Sequence, residues 1–219
     1  RHLPSGGVVY ADMPEWIANS FAGMLFPVIR DTRAPAFYTI PARGGLYVSV
    51  NGAEPPPVAA AQRAEELHLA DGTRISIDTL PPAAEADLPG HPLDVTSEQG
   101  LRLLRYELTG AGTDWTLTTV WRVDSISDEV WQRIYTPFVH VHDASGERVR
   151  IVHGEGLPGY AWAVGDVHVY RMAFDVPADG APFDLRLGQY DGLHNANLIF
   201  TPPDAPPDAV IVLPERIGE

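Results

Sequence analysis

The chain has no cysteine and no lysine. Without cysteine there is no disulfide, no thiolate metal site and no cysteine nucleophile, in whatever compartment the protein resides. Without lysine there is no Schiff-base amine and no P-loop lysine; all 15 cationic side chains are arginine. Positive charge is scarce too, since 29 carboxylates bring the formal net charge to -14. That balance argues against nucleic acid, whose phosphates need a basic surface. It also disfavours an anionic lipid surface. No apolar run approaches the roughly 18 residues of a spanning helix. No Gly-x-Ser-x-Gly elbow and no glycine-rich phosphate loop occurs. There is no signal peptide and the chain opens on Arg1 rather than Met, which reads as a soluble piece of a longer polypeptide.

What is present is β-sheet patterning. Apolar residues make up 45% of the 219, enough for a sizeable core. Residues 135 to 191 organise the rest. Tyr135-Thr-Pro-Phe-Val-His-Val-His142 and Glu147-Arg-Val-Arg-Ile-Val152 flank the turn Asp143-Ala144-Ser145-Gly146. Two further alternating runs follow, Trp162 to Pro177 and Phe183 to Asp191. Short alternating runs broken by Gly, Pro and Asp predict an antiparallel β-sandwich, jelly-roll or immunoglobulin-like. Upstream, Leu101–Leu108 (Leu104, Tyr106 and Leu108 on one face) and Trp115–Val123 (Leu117, Thr119 and Trp121 inward) add strands. Ala196–Phe200 and Val210–Leu213 close the sandwich.

The first 80 residues read as a small α+β unit. Gly7–Ala11 is a short strand. Asp12 and Glu15 form a capping box for a helix whose apolar face carries Trp16, Phe21 and Val28. Ala36–Ile40 and Leu46–Val50 are strands, and Asn51-Gly52 a turn. Ala59–Leu67 is a short helix or a loop leading into Glu66–Leu69, which pairs across Asp71-Gly72 with Thr73–Asp78. The aperiodic, proline-rich residues 81–92 read as a linker, which leaves 93–219 for the sandwich.

Two sets of side chains are candidates for chemistry. His140 and His142 share one face of a strand, a common metal-ligand arrangement, and His168 follows in a Gly-Asp-Val-His context. Together they imitate a cupin metal site. Facing argues otherwise. Val139 and Val141 point to the core with Val149 and Ile151, and a three-residue loop with Gly146 left-handed sets His140 against Arg150 and His142 against Arg148. Two guanidiniums beside two imidazoles repel a divalent cation, so a solvated or interdomain face is expected and a metal site at His140, His142 and His168 is the alternative. No cofactor is expected. The second set is aromatic: Trp131, Tyr135, Tyr160 and Trp162, in loops or at strand edges, are the candidates for a carbohydrate surface, against packing of the sandwich and its ends. The carboxylate neighbours Asp128-Glu129 and Glu65-Glu66 read as solvated charges.

The order Leu117 to Trp121, Phe138 to Gly146, Trp162 to Asp166, Val169 to Pro177 and Leu185 to Asp191 resembles a family pattern over roughly half the chain. It is similar to the soluble C-terminal sandwich domain of some bacterial polytopic membrane glycosyltransferases, of the kind related to protein mannosyltransferases and aminoarabinose transferases. The matching positions are turns and core. The resemblance implies an extracytoplasmic accessory domain, non-catalytic by itself, tethered through upstream membrane helices. Its partner would be the membrane-embedded portion of the same polypeptide, with a glycan as a further partner. The catalytic carboxylate of such enzymes is implied to sit between membrane helices, and no residue here corresponds to it. A free-standing carbohydrate-binding module and a cupin-like metalloenzyme stay open as alternatives.

Overall fold

The computed structural model describes residues 8–12, 29–31, 37–50, 61–154, 156–159, 162–179, 181–202 and 206–218. The protein is mainly β, built from several antiparallel sheets in the manner of a β-sandwich. The chain divides into two compact units: Arg1–Leu88 with Gly165–His168, and Pro89–Val164 with Val169–Glu219.

The first unit contains a mixed five-stranded sheet. Strand β1 (Val8–Asp12) runs parallel to β2 (Ile29–Asp31) and to β4 (Gly45–Val50). Strand β6 (Arg74–Leu80) pairs antiparallel with β4 and with β5 (Gln62–His68). Alternation in β4 sends Leu46 and Val48 to one side, against Ile75 and Ile77, and Tyr47 to the other, against Leu80 and Ala61. The β5–β6 hairpin turns at Asp71-Gly72 as expected. Gly72 takes φ +87°, the Asp71 carboxylate accepts the Thr73 N–H at 2.9 Å, and the Leu69 N–H donates to the Thr73 carbonyl.

The helix expected after Asp12, the Asn51-Gly52 turn and Pro55–Pro57 lie outside the described residues. The helical option for Ala59–Leu67 is corrected: from Gln62 the chain is strand. Its side chains are exposed, and Arg63, Glu66 and His68 bond one another on the sheet surface, at 2.7 and 2.9 Å. This charged edge stabilises an extended conformation that a helical propensity count over Ala and Glu does not see. Strand β3 (Phe37–Ile40) lies beside the first residues of β13 (Val167–Asp175).

The second unit holds the sandwich. One sheet runs β7 (His91–Ser97), β8 (Leu101–Ala111), β9 (Asp114–Val123) and β13, with β16 (Phe200–Thr201) beside β7. The other runs β11 (Arg148–His153), β10 (Ile134–His142), β14 (Asp184–Asp191) and β15 (Ala196–Asn197), with β12 (Leu157–Pro158) on β10 and β17 (Ile211–Val212) on β14. Strand β7 thus begins inside the stretch that lacks sequence periodicity. A single helical turn, α1 (Asp128–Trp131), precedes β10; the Ser127 hydroxyl caps it by accepting the Val130 N–H at 3.2 Å.

Two bulges shift the inward faces. In β8 the register slips between Leu103 and Arg105, so Leu101, Leu103, Tyr106 and Leu108 oppose Val123, Trp121, Thr119 and Leu117. Leu103 is therefore the core residue where alternation pointed to Leu104, which is half-buried. In β11 the slip falls beside His142, and His140 opposes Ile151 rather than Arg150. Ile151 then shares the outer face and is 41% exposed, while Val139 and Val141 are fully buried. The loop itself forms as expected: Gly146 takes φ +84°, and the Asp143 N–H donates to the Glu147 carbonyl at 2.9 Å. Bonds from the Ser145 hydroxyl and from the N–H groups of Glu147 and Ser145 hold the Asp143 carboxyl below its ordinary range.

Asp191 ends β14 with its side chain fully buried, and it accepts from Leu193 N–H at 3.0 Å and bonds His194 Nδ1 at 2.5 Å. Burial raises its pKa, but the His194 and Leu193 bonds outweigh burial and the net shift is downward. A depressed carboxyl stabilises the fold above its unfolded value of about 3.9 and loses that contribution as pH falls through the folded value. Asp191→Asn should therefore flatten the decline in urea-unfolding stability below about pH 4; an unchanged acid limb would contradict this role.

Candidate functional site

The β8–β9 hairpin and the end of β13 enclose an open trough of about 520 Å³. Thr109 and Gly110 come from β8, Asp114, Trp115 and Thr116 from β9, and Ala173, Phe174 and Asp175 from β13. Gly110 opposes Trp115 across the hairpin. A Cβ on Gly110 would meet the Trp115 ring at 2.9 Å and the Asp114 carbonyl at 2.3 Å, so only glycine lets the indole lie this close to β8. The indole N–H donates to the Gly112 carbonyl at 3.0 Å, which pins the half-buried ring in place. Asp175 pairs with Arg150, while Asp114 is exposed and has no ion pair among the described residues. A fixed indole can stack on an apolar ring face, and threonine and carboxylate residues in the same trough lining can bond hydroxyl groups.

Two of the four aromatics expected from sequence are enclosed. Tyr135 and Trp162 are 1% and 4% exposed and pack on each other, ring centroids 5.7 Å apart. Burial raises the Tyr135 phenol pKa. Rings enclosed in this way present no face to a ligand; they seal the end of the sandwich where α1 meets β10. Trp131 is 56% exposed on α1. Tyr160 lies outside the described residues. Sequence alternation marks Trp115 only as the first residue of a core strand. It has the same parity as Leu117, Thr119 and Trp121, but it sits beyond the core, beside the hairpin turn. The signal that marks it is the spacing of Gly110 and Gly112 around a tight turn just before a tryptophan.

The histidine set separates. His140 and His142 stand on the outer face of β10, half-exposed, and His142 Nδ1 donates to the Gly146 carbonyl at 3.0 Å. His168 is fully buried in the first unit, with Nδ1 2.8 Å from the Thr39 hydroxyl and its ring against Phe37. Two residues earlier, Asp166 accepts the Ala42 N–H at 3.0 Å, and Gly165 at φ +89° sits against Ala42. The Gly-Asp-Val-His phrase thus anchors β3 and the turn after it. Among the described residues no group of three or more His, Asp or Glu side chains is placed to hold a metal ion.

Among the described residues, no helix is long and apolar enough to cross a membrane. The chain matches no protein-family model and no curated protein.

Proposed function

We infer that the chain is a saccharide-binding β-sandwich, acting as the accessory domain of a membrane glycosyltransferase, outside the membrane, with transfer chemistry elsewhere in the polypeptide. The observation that carries the binding half of this reading is the Trp115 trough. Its indole is held by Gly110 and Gly112, and Thr109, Thr116 and Asp114 contribute to the lining of the same trough. A pyranose offers what this arrangement recognises: an apolar C–H face for the ring and vicinal hydroxyls for the carboxylate. The motif order from Leu117 to Asp191 supports the transferase half, because the resembling domains are carried by such enzymes.

The test is a glycan array followed by calorimetry on the chain and on Trp115→Ala. Oligosaccharide binding in the chain, weakened about tenfold or more in the variant, is the expected result. Trp115 is half-buried at a strand end, so the variant should keep its circular dichroism. Glycan silence in the unaltered chain, or equal affinity in Trp115→Ala, would sink the reading.

A further inference from the structure

The outer face of the β11–β10–β14 sheet collects positive charge in a chain whose formal net charge is -14. His140 opposes Arg186 on β14 and Ile151 on β11; His142 opposes Asp184 and Arg148. Burial first, then Arg148, His142, His153 and Arg186, hold the His140 pKa below the usual imidazole range, and no carboxylate contributes. Asp184, the carboxylate opposite His142, is taken by Arg216 Nε at 2.7 Å. The Phe138 ring packs against His140, centroids 4.6 Å apart, and fixes the imidazole on the face.

Two nitrogens here are buried and have no hydrogen-bond partner among the described residues: Arg186 Nε and His142 Nε2. A guanidinium nitrogen always carries its proton, so Arg186 Nε–H is a donor without an acceptor. His142 is more informative. Its Nδ1 faces a carbonyl, which only accepts, so the proton of the neutral ring sits on Nδ1. Nε2 becomes a donor only in the imidazolium. Arg148 stands opposite His142 on β11 and Arg186 opposite the neighbouring His140 on β14, so this face repels a cation and draws an anion.

We propose that this face binds a tetrahedral oxyanion, a sulfate or phosphate group, through Arg148, Arg186 and His142, and that His142 takes up a proton as it binds. The site is separate from the Trp115 trough and stands or falls independently of it. The groups that face His142 are Arg148 from β11, Asp184 with its partner Arg216 from β14, and His140 on its own strand; Asp143 and Glu147 flank the loop.

Sulfate is the probe, because it does not titrate in this range. Side-chain nitrogen NMR on the whole chain should show saturable shifts at His142 and Arg186. Affinity should rise as pH falls, by up to about tenfold per pH unit for one proton bound. Arg148→Gln, an exposed position, should weaken binding about tenfold or more with the circular dichroism unchanged. His142→Asn keeps a donor for the Gly146 carbonyl but loses the nitrogen proposed to take up the proton, so it should bind with a flatter pH profile. Co-sedimentation with phosphatidate vesicles assigns the natural oxyanion to a lipid headgroup, and its absence to a soluble ligand; the sulfate titration decides the proposal in either case. No saturable sulfate shift, equal affinity in Arg148→Gln, or an unaltered pH slope in His142→Asn would overturn it.

Discussion

Trp121→Ala should lower the unfolding free energy of the protein by about 3–5 kcal/mol. Trp121 is fully buried in β9, opposite Leu103, with Phe200 packed on it at a centroid distance of 5.6 Å. Its indole N–H donates to the Thr119 hydroxyl at 3.0 Å, so truncation also leaves that buried hydroxyl without its donor. The neighbours belong to hydrogen-bonded strands and cannot collapse into the space, so a transfer loss and a cavity cost add. Urea unfolding followed by fluorescence of the remaining tryptophans measures it. A loss under about 1 kcal/mol would show that this sheet does not carry the core.

Gly159→Ala should be the second large effect, about 2 kcal/mol or more. A Cβ at Gly159 would sit 1.8 Å from the Val130 carbonyl oxygen and 2.6 Å from its carbon, and backbone cannot swing aside as a side chain can. The same glycine donates its N–H to the Arg133 carbonyl at 2.7 Å, and its own carbonyl accepts from Trp162 at 3.0 Å. Gly159 therefore clamps α1 to the segment that brings Trp162 onto Tyr135. Forcing these apart loosens a fully buried Val130 and the aromatic pair together. A thermal melt of Gly159→Ala that matches the unaltered chain would contradict the clamp.

Much of the sandwich is legible in the sequence because alternation is a local property. Leu117, Thr119 and Trp121 fall on one face, Val139 and Val141 on the core side, and the Asp143–Gly146 loop closes as its residues require. The errors come from bulges. One extra residue at Leu104 and another in β11 move Leu103 inward and Ile151 outward, and no periodicity count registers a single insertion. The parallel pairing of β1 with β2 and β4 is non-local, and nothing in Val8–Asp12 announces it. The candidate sites are less legible still. Tyr135 and Trp162 lie beside turns, which suggests exposure, yet they bury each other; Trp115 looks like core and lies in an open trough. Exposure of an aromatic depends on where a strand outruns its sheet, and that is set by the partner strands. The basic face was foreshadowed by the Arg148–His142 pairing, which the structure retains.

The most direct test of the account is an NMR titration of the whole chain with the best oligosaccharide from the array, read at the indole N–H signals of its five tryptophans. A saturable shift at Trp115 is expected, with the backbone signals of Thr109 and Thr116 moving at the same concentration and buried Trp121 and Trp162 unmoved. Saturable shifts centred on Trp131 instead, or none at Trp115 with any saccharide, would contradict it.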